Sequence, residues 1–186
     1  MHKRGFAAIL PACTASRAET LTIILLSCLH SRLVNALELK VPPLALWLVV
    51  VVAMWLASSQ VPSLAFAWRW RHSLAAVIAG AGILFAVAGV LAFHRAKTTV
   101  NPTNPGATSA LVASGVYRFS RNPMYVGMLL ALIGWAVFLS HTLAFFFIPV
   151  FVAYMNRFQI SAEEHALCAK FGNQYAAYKR SVRRWL

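Results

Sequence analysis

Four apolar runs, at residues 44–61, 74–93, 124–139 and 142–158, dictate what this chain can fold into. A helix needs about 20 such residues to cross the hydrocarbon core of a bilayer. The first run is bounded by Pro42-Pro43 and Pro62, and the second carries Gly80, Gly82 and Gly89 as small residues that let another helix approach closely. Only Ser140-His141 separates the third run from the fourth, so those two form an antiparallel helical hairpin. Both arms are near the short end for a crossing, which limits their tilt. Pro149 removes a backbone hydrogen bond from the fourth helix and is expected to kink it. With 60% hydrophobic and only 11% charged residues, the chain reads as all-α, a polytopic integral membrane helical bundle of about four transmembrane helices. A C-terminal amphipathic interfacial helix follows. Leu167, Phe171, Tyr175, Tyr178 and Val182 recur at helical spacing against basic flanks, and Gly172-Asn173 is expected to break that helix in two. It should lie along the membrane surface and fold over the ends of the spans.

The formal net charge of +13 sits at the ends of the apolar runs, where it sets topology and meets anionic headgroups. Membrane lipids are therefore the expected partners, and nucleic acid is not. Arg95, Lys97, Arg118 and Arg121 follow the second run, and Arg157, Lys170, Lys179, Arg180, Arg183 and Arg184 crowd the tail; Arg69 and Arg71 oppose them. That imbalance puts the long segment and the tail on the cytoplasmic side. Cys13, Cys28 and Cys168 show neither C-x-x-C spacing nor nearby paired histidines, so no metal and no structural disulfide is expected. Residues 1–37 differ in texture from the rest and are read as an atypical N-terminal extension. One reading is a leader with Leu25-Leu26-Ser27-Cys28 as cleavage box; the other is translation starting later, for instance at Val34.

Chemistry concentrates around residues 111–125. Tyr117, Arg118, Arg121 and Asn122 precede Pro123, where the third run starts; Asn is a favoured N-cap and Pro suits the first helical position. The N–H groups and macrodipole of such a helix start, flanked by arginines, suit an anionic ligand. Carboxylates are scarce: downstream of Leu39 only Glu163 and Glu164 occur. They are either ligands or parts of a capping box, with Ser161 as N-cap and Glu164 reaching back to it. Thr98, Thr99 and Asn101 form a polar cluster after the second run, either an ordinary exit turn or a substrate contact. His94 and Arg95 anchor the headgroup region, and His141 is read as a turn residue. No dinucleotide fingerprint, nucleophile elbow or P-loop is present.

Ser114-Gly115-Val116-Tyr117, then Arg121-Asn122-Pro123-Met124-Tyr125-Val126-Gly127, then Glu163-Glu164, Phe171-Gly172 and Tyr175-x-x-Tyr178 follow one another in order. This series resembles the isoprenylcysteine carboxyl methyltransferase and phospholipid methyltransferase superfamily, bacterial-type integral membrane enzymes. The resemblance covers residues 98–186, about half the chain. It implies methyl transfer from S-adenosyl-L-methionine within a membrane methyltransferase domain at 38–186, whose cofactor-binding half is 98–186. Carried over, the cofactor would be lined by Ser109, Ala110, Leu111, Val112, Tyr117, Arg121, Asn122, Pro123, Met124 and Tyr125, with Glu163 or Glu164 closing the pocket. The family usually has His where Asn122 stands. Asn can still hydrogen-bond but cannot titrate near neutral pH, so binding rather than proton relay is expected there.

The resemblance also implies a lipophilic acceptor: a prenylcysteine-like carboxylate, a phospholipid amine or a small thiol. Arg157 is the candidate to hold a carboxylate acceptor, with Tyr125 facing the sulfonium by cation–π attraction. Substrate contacts are then expected at Thr98, Thr99, Asn101 and Arg157, and catalytic roles at Arg157 and Tyr125. The expected location is the inner (cytoplasmic) membrane, with the site facing the cytoplasm. Two other readings stay open: a membrane reductase using a nicotinamide cofactor, and a non-catalytic adaptor or channel.

Overall fold

The computed structural model describes residues 41–67, 69–96 and 110–186, all within the compact unit Leu37–Leu186. The helices are α1 (Pro43–Gln60), α2 (Arg71–Arg95), α3 (Pro123–Leu139), α4 (Thr142–Tyr154) and α5 (Ser161–Ser181). A π-helical turn, Met155–Ile160, joins α4 to α5, and short 3-10 turns occupy Pro62–Leu64 and Gly115–Arg118. The protein is an all-α membrane helical bundle. Three helical runs, Pro43–Gln60, Arg71–Arg95 and Thr142–Ser181, are long and apolar enough to cross a membrane. With 17 residues, α3 is shorter, about 25 Å. The outward faces are apolar too: Val49, Val77 and Leu84 are more than half exposed, as lipid-facing side chains must be.

Small residues fix how α2 and α3 meet. Gly82 faces Gly127, Gly89 faces Met124 and Gly134 faces Ala75, so the two helices run antiparallel in close contact. A Cβ on Gly127 would lie 2.5 Å from the carbonyl oxygen of Gly82, and one on Gly134 2.9 Å from that of Ala75. Gly80 departs from expectation: beyond its own helix, no described residue comes within 4 Å of its would-be Cβ, because it sits on another face of α2. On the other side of α3, the indole N–H of Trp47 donates to the carbonyl of Met128 (3.0 Å) and that of Trp135 to the carbonyl of Val51 (3.2 Å). Val50, Met54, Leu132, Ala136, Ala144, Phe151, Met155 and Ile160 fill the core between α1, α3 and α4. Between α1, α2 and α3 lies an apolar groove of about 710 Å³, lined by Trp47, Ala79, Gly82, Ala131 and Trp135 among others.

The tight α3–α4 connection is as short as expected, but His141 is more than a turn residue. It is buried at the N-cap of α4, where Nδ1 accepts from the N–H of Leu143 (3.2 Å). That leaves Nε2–H to donate to the carbonyl of Val61 (2.7 Å), which ties the α1–α2 connection to the hairpin. Ser140 supports the turn in the left-handed region at φ 48°, and its hydroxyl donates to Val137 (2.8 Å).

Two expectations about the last third are corrected. The helix that begins at Thr142 does not stop near 158; it passes through the π-helical turn directly into α5. Ile160 is therefore already helical and no side chain caps α5, so the capping box at Ser161 does not form. A helix that never started anew has no free N–H groups for Glu164 to satisfy. The break at Gly172 does occur, at φ 50° and ψ −121°. Beyond it Tyr175 and Tyr178 turn their rings into the protein.

Candidate functional site

The polar groups that the apolar helices lack gather at one end of the bundle. There the 3-10 turn Gly115–Arg118, the start of α3, the π-helical turn, the first turn of α5 and the tail beyond Gly172 come together. The apolar part of the last run ends at Ile160, so α5, with its two acids and its basic residues, lies outside the membrane-spanning segment.

Adjacent helical residues point about 100° apart, and that angle gives Glu163 and Glu164 different surroundings. Glu164 is buried in a cage of cations. Its Oε1 accepts from Arg121 Nη2 at 2.7 Å and Arg184 Nε at 3.1 Å, and its Oε2 from Arg184 Nη2 at 2.6 Å. Lys179 Nζ lies 3.4 Å from Oε2. Burial alone would raise this carboxyl, but the hydrogen bonds from Arg184 and Arg121 outweigh it and hold Glu164 at about 2. Among the described residues no cation pairs with Glu163. Its Oε1 accepts from Tyr125 OH at 2.5 Å and from the amide of Gln159 at 2.6 Å. Burial pushes Glu163 up to about 7, against the pull of those two donors, and the neighbouring charge of Glu164 adds to the rise.

Tyr117 completes the group. Its ring is buried edge-on against Phe93 at 5.4 Å, and its carbonyl accepts from Tyr178 OH at 2.7 Å. Its own hydroxyl is buried without a hydrogen-bond partner among the described residues. Burial, with the charges of Tyr178 and Glu163 nearby, drives the Tyr117 phenol far above its ordinary range. Arg121 Nε is likewise buried without a partner.

The tail accounts for most of what the start of α3 can donate. Arg121 N–H donates to the carbonyl of Arg183 (2.9 Å), and Arg121 Nη1 to those of Val182 (2.7 Å) and Lys179 (2.9 Å). Asn122 occupies the N-cap position, yet its side chain makes no capping bond; its amide donates to the carbonyl of Arg184 (2.9 Å). Ser120 does the local work by accepting from the N–H of Asn122 (3.1 Å). Trp185 Nε1 donates to Asn156 at 3.0 Å, which pins the tail to the π-helical turn. Pro123 is buried at the first helical position, and Met124 packs on Gly89.

The structure thus brings Tyr117, Tyr125 and Glu163 into one group, and Arg121, Asn122 and Glu164 into a second that grips the tail. Ala110 and Leu111 are half-buried and Val112 is buried on the way into the 3-10 turn. Arg157 is exposed, its guanidinium 5.8 Å from the centroid of the Phe158 ring, whereas Gln159 two positions on is buried. Thr98, Thr99, Asn101 and Ser109 lie outside the described residues. Sequence reasoning missed Gln159, Ser120 and Arg184 as site residues, and had Tyr178 only as part of the Tyr175-x-x-Tyr178 pattern. An amide at the end of an apolar run, four residues before an acid, was the available signal for Gln159; Ser120 and Arg184 carry no local signal. Among the described residues no three His, Cys, Asp or Glu side chains cluster as metal ligands.

A family model described as phospholipid methyltransferase matches residues 70–174, more than half of the chain. The chain belongs to the phospholipid methyltransferase family. Two curated proteins are similar to this family member. An uncharacterized protein of Haemophilus influenzae is 44% identical over 63 residues, 34% of this chain and 100% of that protein. Protein-S-isoprenylcysteine O-methyltransferase A of Arabidopsis thaliana is 30% identical over 121 residues, 65% of this chain and 61% of that protein. No solved structure matches. The family and the apolar helices together make this protein an integral membrane methyltransferase.

Proposed function

We propose that the protein transfers a methyl group from S-adenosyl-L-methionine to a lipophilic acceptor at the cytoplasmic face of the inner (cytoplasmic) membrane. Residues 38–186 form the methyltransferase domain, with the donor held by its half at 98–186. The observation that carries this reading is the pairing of two groups that the described residues leave unmatched: Glu163, with no cation beside it, and Tyr117, whose buried hydroxyl has no partner. A buried polar group without a partner costs about 1–3 kcal/mol, and a ligand that supplies the missing bonds recovers it. The residues fit the donor: Glu163 for its ammonium or hydroxyl groups, Tyr117 and Tyr125 for its sulfonium by cation–π attraction, and Ala110, Leu111 and Val112 for its apolar edge. The donor brings the methyl group on a sulfonium. The protein's part is to orient it and exclude water, which suits a site at the end of a greasy bundle. Arg121, Asn122 and Glu164 hold the tail that closes this corner, so of the two acids Glu163 faces the donor.

The groove between α1, α2 and α3 is where the acceptor's hydrocarbon would lie, entering sideways from the bilayer. The name of the Arabidopsis relative supports an acceptor with a prenyl tail, and the family name supports a phospholipid. Arg157, exposed at this end, would meet an acceptor's anionic group; Thr98, Thr99 and Asn101 are proposed as further substrate contacts. Calorimetry on detergent-purified protein tests the donor: S-adenosylhomocysteine is expected to bind and a nicotinamide nucleotide to give no heat. The reverse result would replace the methyl donor with a reductant. Labelled methionine fed to cells with and without the gene, followed by lipid mass spectrometry, identifies the acceptor.

A further inference from the structure

Gln159 has a place that neither packing nor helix propensity explains. It is 3% exposed, in a turn whose neighbours Met155 and Ile160 belong to the apolar core. A leucine would fill the same space without an amide to satisfy. Burying an amide is unfavourable unless it is hydrogen-bonded, and this one donates to Glu163 Oε1 at 2.6 Å. The turn that carries it is π-helical, Met155–Ile160, a wider winding that is rare and recurs at functional sites. Tyr125 donates to the same oxygen, so two donors from two elements fix one oxygen of this carboxylate, and no described residue donates to the other.

We propose that Gln159 is a positioning residue: with Tyr125 it ties Oε1 of Glu163 so that Oε2 is presented to the methyl donor as a charged acceptor of hydrogen bonds. The inference rests on the donor site proposed above. The groups that face Glu163 are Tyr125 from α3, Tyr117 from the 3-10 turn and Glu164 from its own helix. Both phenols keep their protons, and the charge of Glu164 is matched by Arg121, Arg184 and Lys179. Gln159 and Tyr125 therefore supply the favourable contacts that hold the ionisation of Glu163 near neutral pH rather than above it, against its burial. Removing one raises the pH at which the carboxylate forms.

Two readouts test this on the full-length protein in detergent. Infrared titration follows the protonated-carboxyl band that Glu163→Gln deletes. Its midpoint is expected near 7 in the wild type and about one pH unit higher in Gln159→Leu, the shift of a lost hydrogen bond to a charged group. Calorimetry with S-adenosylhomocysteine is expected to show roughly fivefold weaker binding for Gln159→Leu at pH 7, because about half of the wild type but only about a tenth of the variant is ionised there, recovering towards the wild-type value by about pH 9. A merely structural loss would not recover with pH. Gln159→Met, longer and more pliable, repeats both measurements should the leucine variant fold poorly. An unchanged midpoint, or an affinity loss that persists at high pH, overturns the role of Gln159. Should the wild type give no heat with S-adenosylhomocysteine at any pH, the donor reading falls, and the infrared midpoint still decides whether Gln159 governs Glu163.

Discussion

The two ends of the helical bundle solve the same problem in opposite ways. Each buries polar side chains in a protein that is mostly hydrocarbon. At the α3–α4 turn, Ser140 and His141 are almost wholly buried and every polar atom has a short bond: to Val137, to Leu143 and to Val61. At the other end the described residues leave the buried Tyr117 OH and Arg121 Nε without partners and Glu163 without a cation. Closed networks lock a fold and gain nothing from a ligand. Open ones are retained at a cost in stability, and a binding partner is the simplest compensation.

That contrast can be broken from either side. The largest effect is expected for Glu164→Gln, which leaves Arg121 and Arg184 facing a neutral group; stability should fall by about 3 kcal/mol, the low end for a buried pair because Arg184 is partly hydrated. Thermal melting in detergent measures it, and an unchanged midpoint would show that the cation cage is not structural. Next comes His141→Ala at the closed end. Loss of the cap and of the bond to Val61 should destabilise by about 2 kcal/mol, with S-adenosylhomocysteine affinity unchanged by calorimetry. A change in that affinity would mean that the two ends are coupled.

The two acids also predict opposite pH slopes. Glu164 is lowered in the fold to about 2, so its stabilisation is full above its ordinary 4.5 and is lost as pH falls from there towards 2. Glu163 is raised to about 7, so the folded form binds its proton more tightly than the unfolded one, and stability on its account falls as pH rises from 4.5 to 7. Melting curves for Glu163→Gln should lose the second slope and keep the first. The smallest change in stability, and the sharpest discrimination, belongs to Tyr117→Phe. Removing a hydroxyl with no partner should stabilise by about 1 kcal/mol, while donor affinity drops about tenfold. Loss of stability instead would mean that the hydroxyl is satisfied after all.

The spans were legible because a bilayer admits only long apolar helices, and nothing subtler than composition was needed to find them. The corner at Asn122-Pro123 and the acidic pair were legible as places, but not as geometry. Whether Ser161 began a helix depended on Ile160 being helical already, which the residues around 161 do not encode. The division of labour between Glu163 and Glu164 depends on Arg184, 20 positions beyond Glu164, and on a tail that doubles back; no periodicity announces that return. Gly80 and Gly82 look alike in the sequence, and only the rotation of α2 against α3 separates the idle one from the one in contact.

Gly172 packs on no other part of the described chain: beyond its neighbours and its own helix, nothing lies within 4 Å of where its Cβ would be. Yet its torsion angles, open to glycine and few others, set the point at which the backbone reverses and carries Arg184 home to Glu164. The pocket's architecture thus hinges on the two torsions of one residue, at a site that its contacts alone would pass over as empty surface.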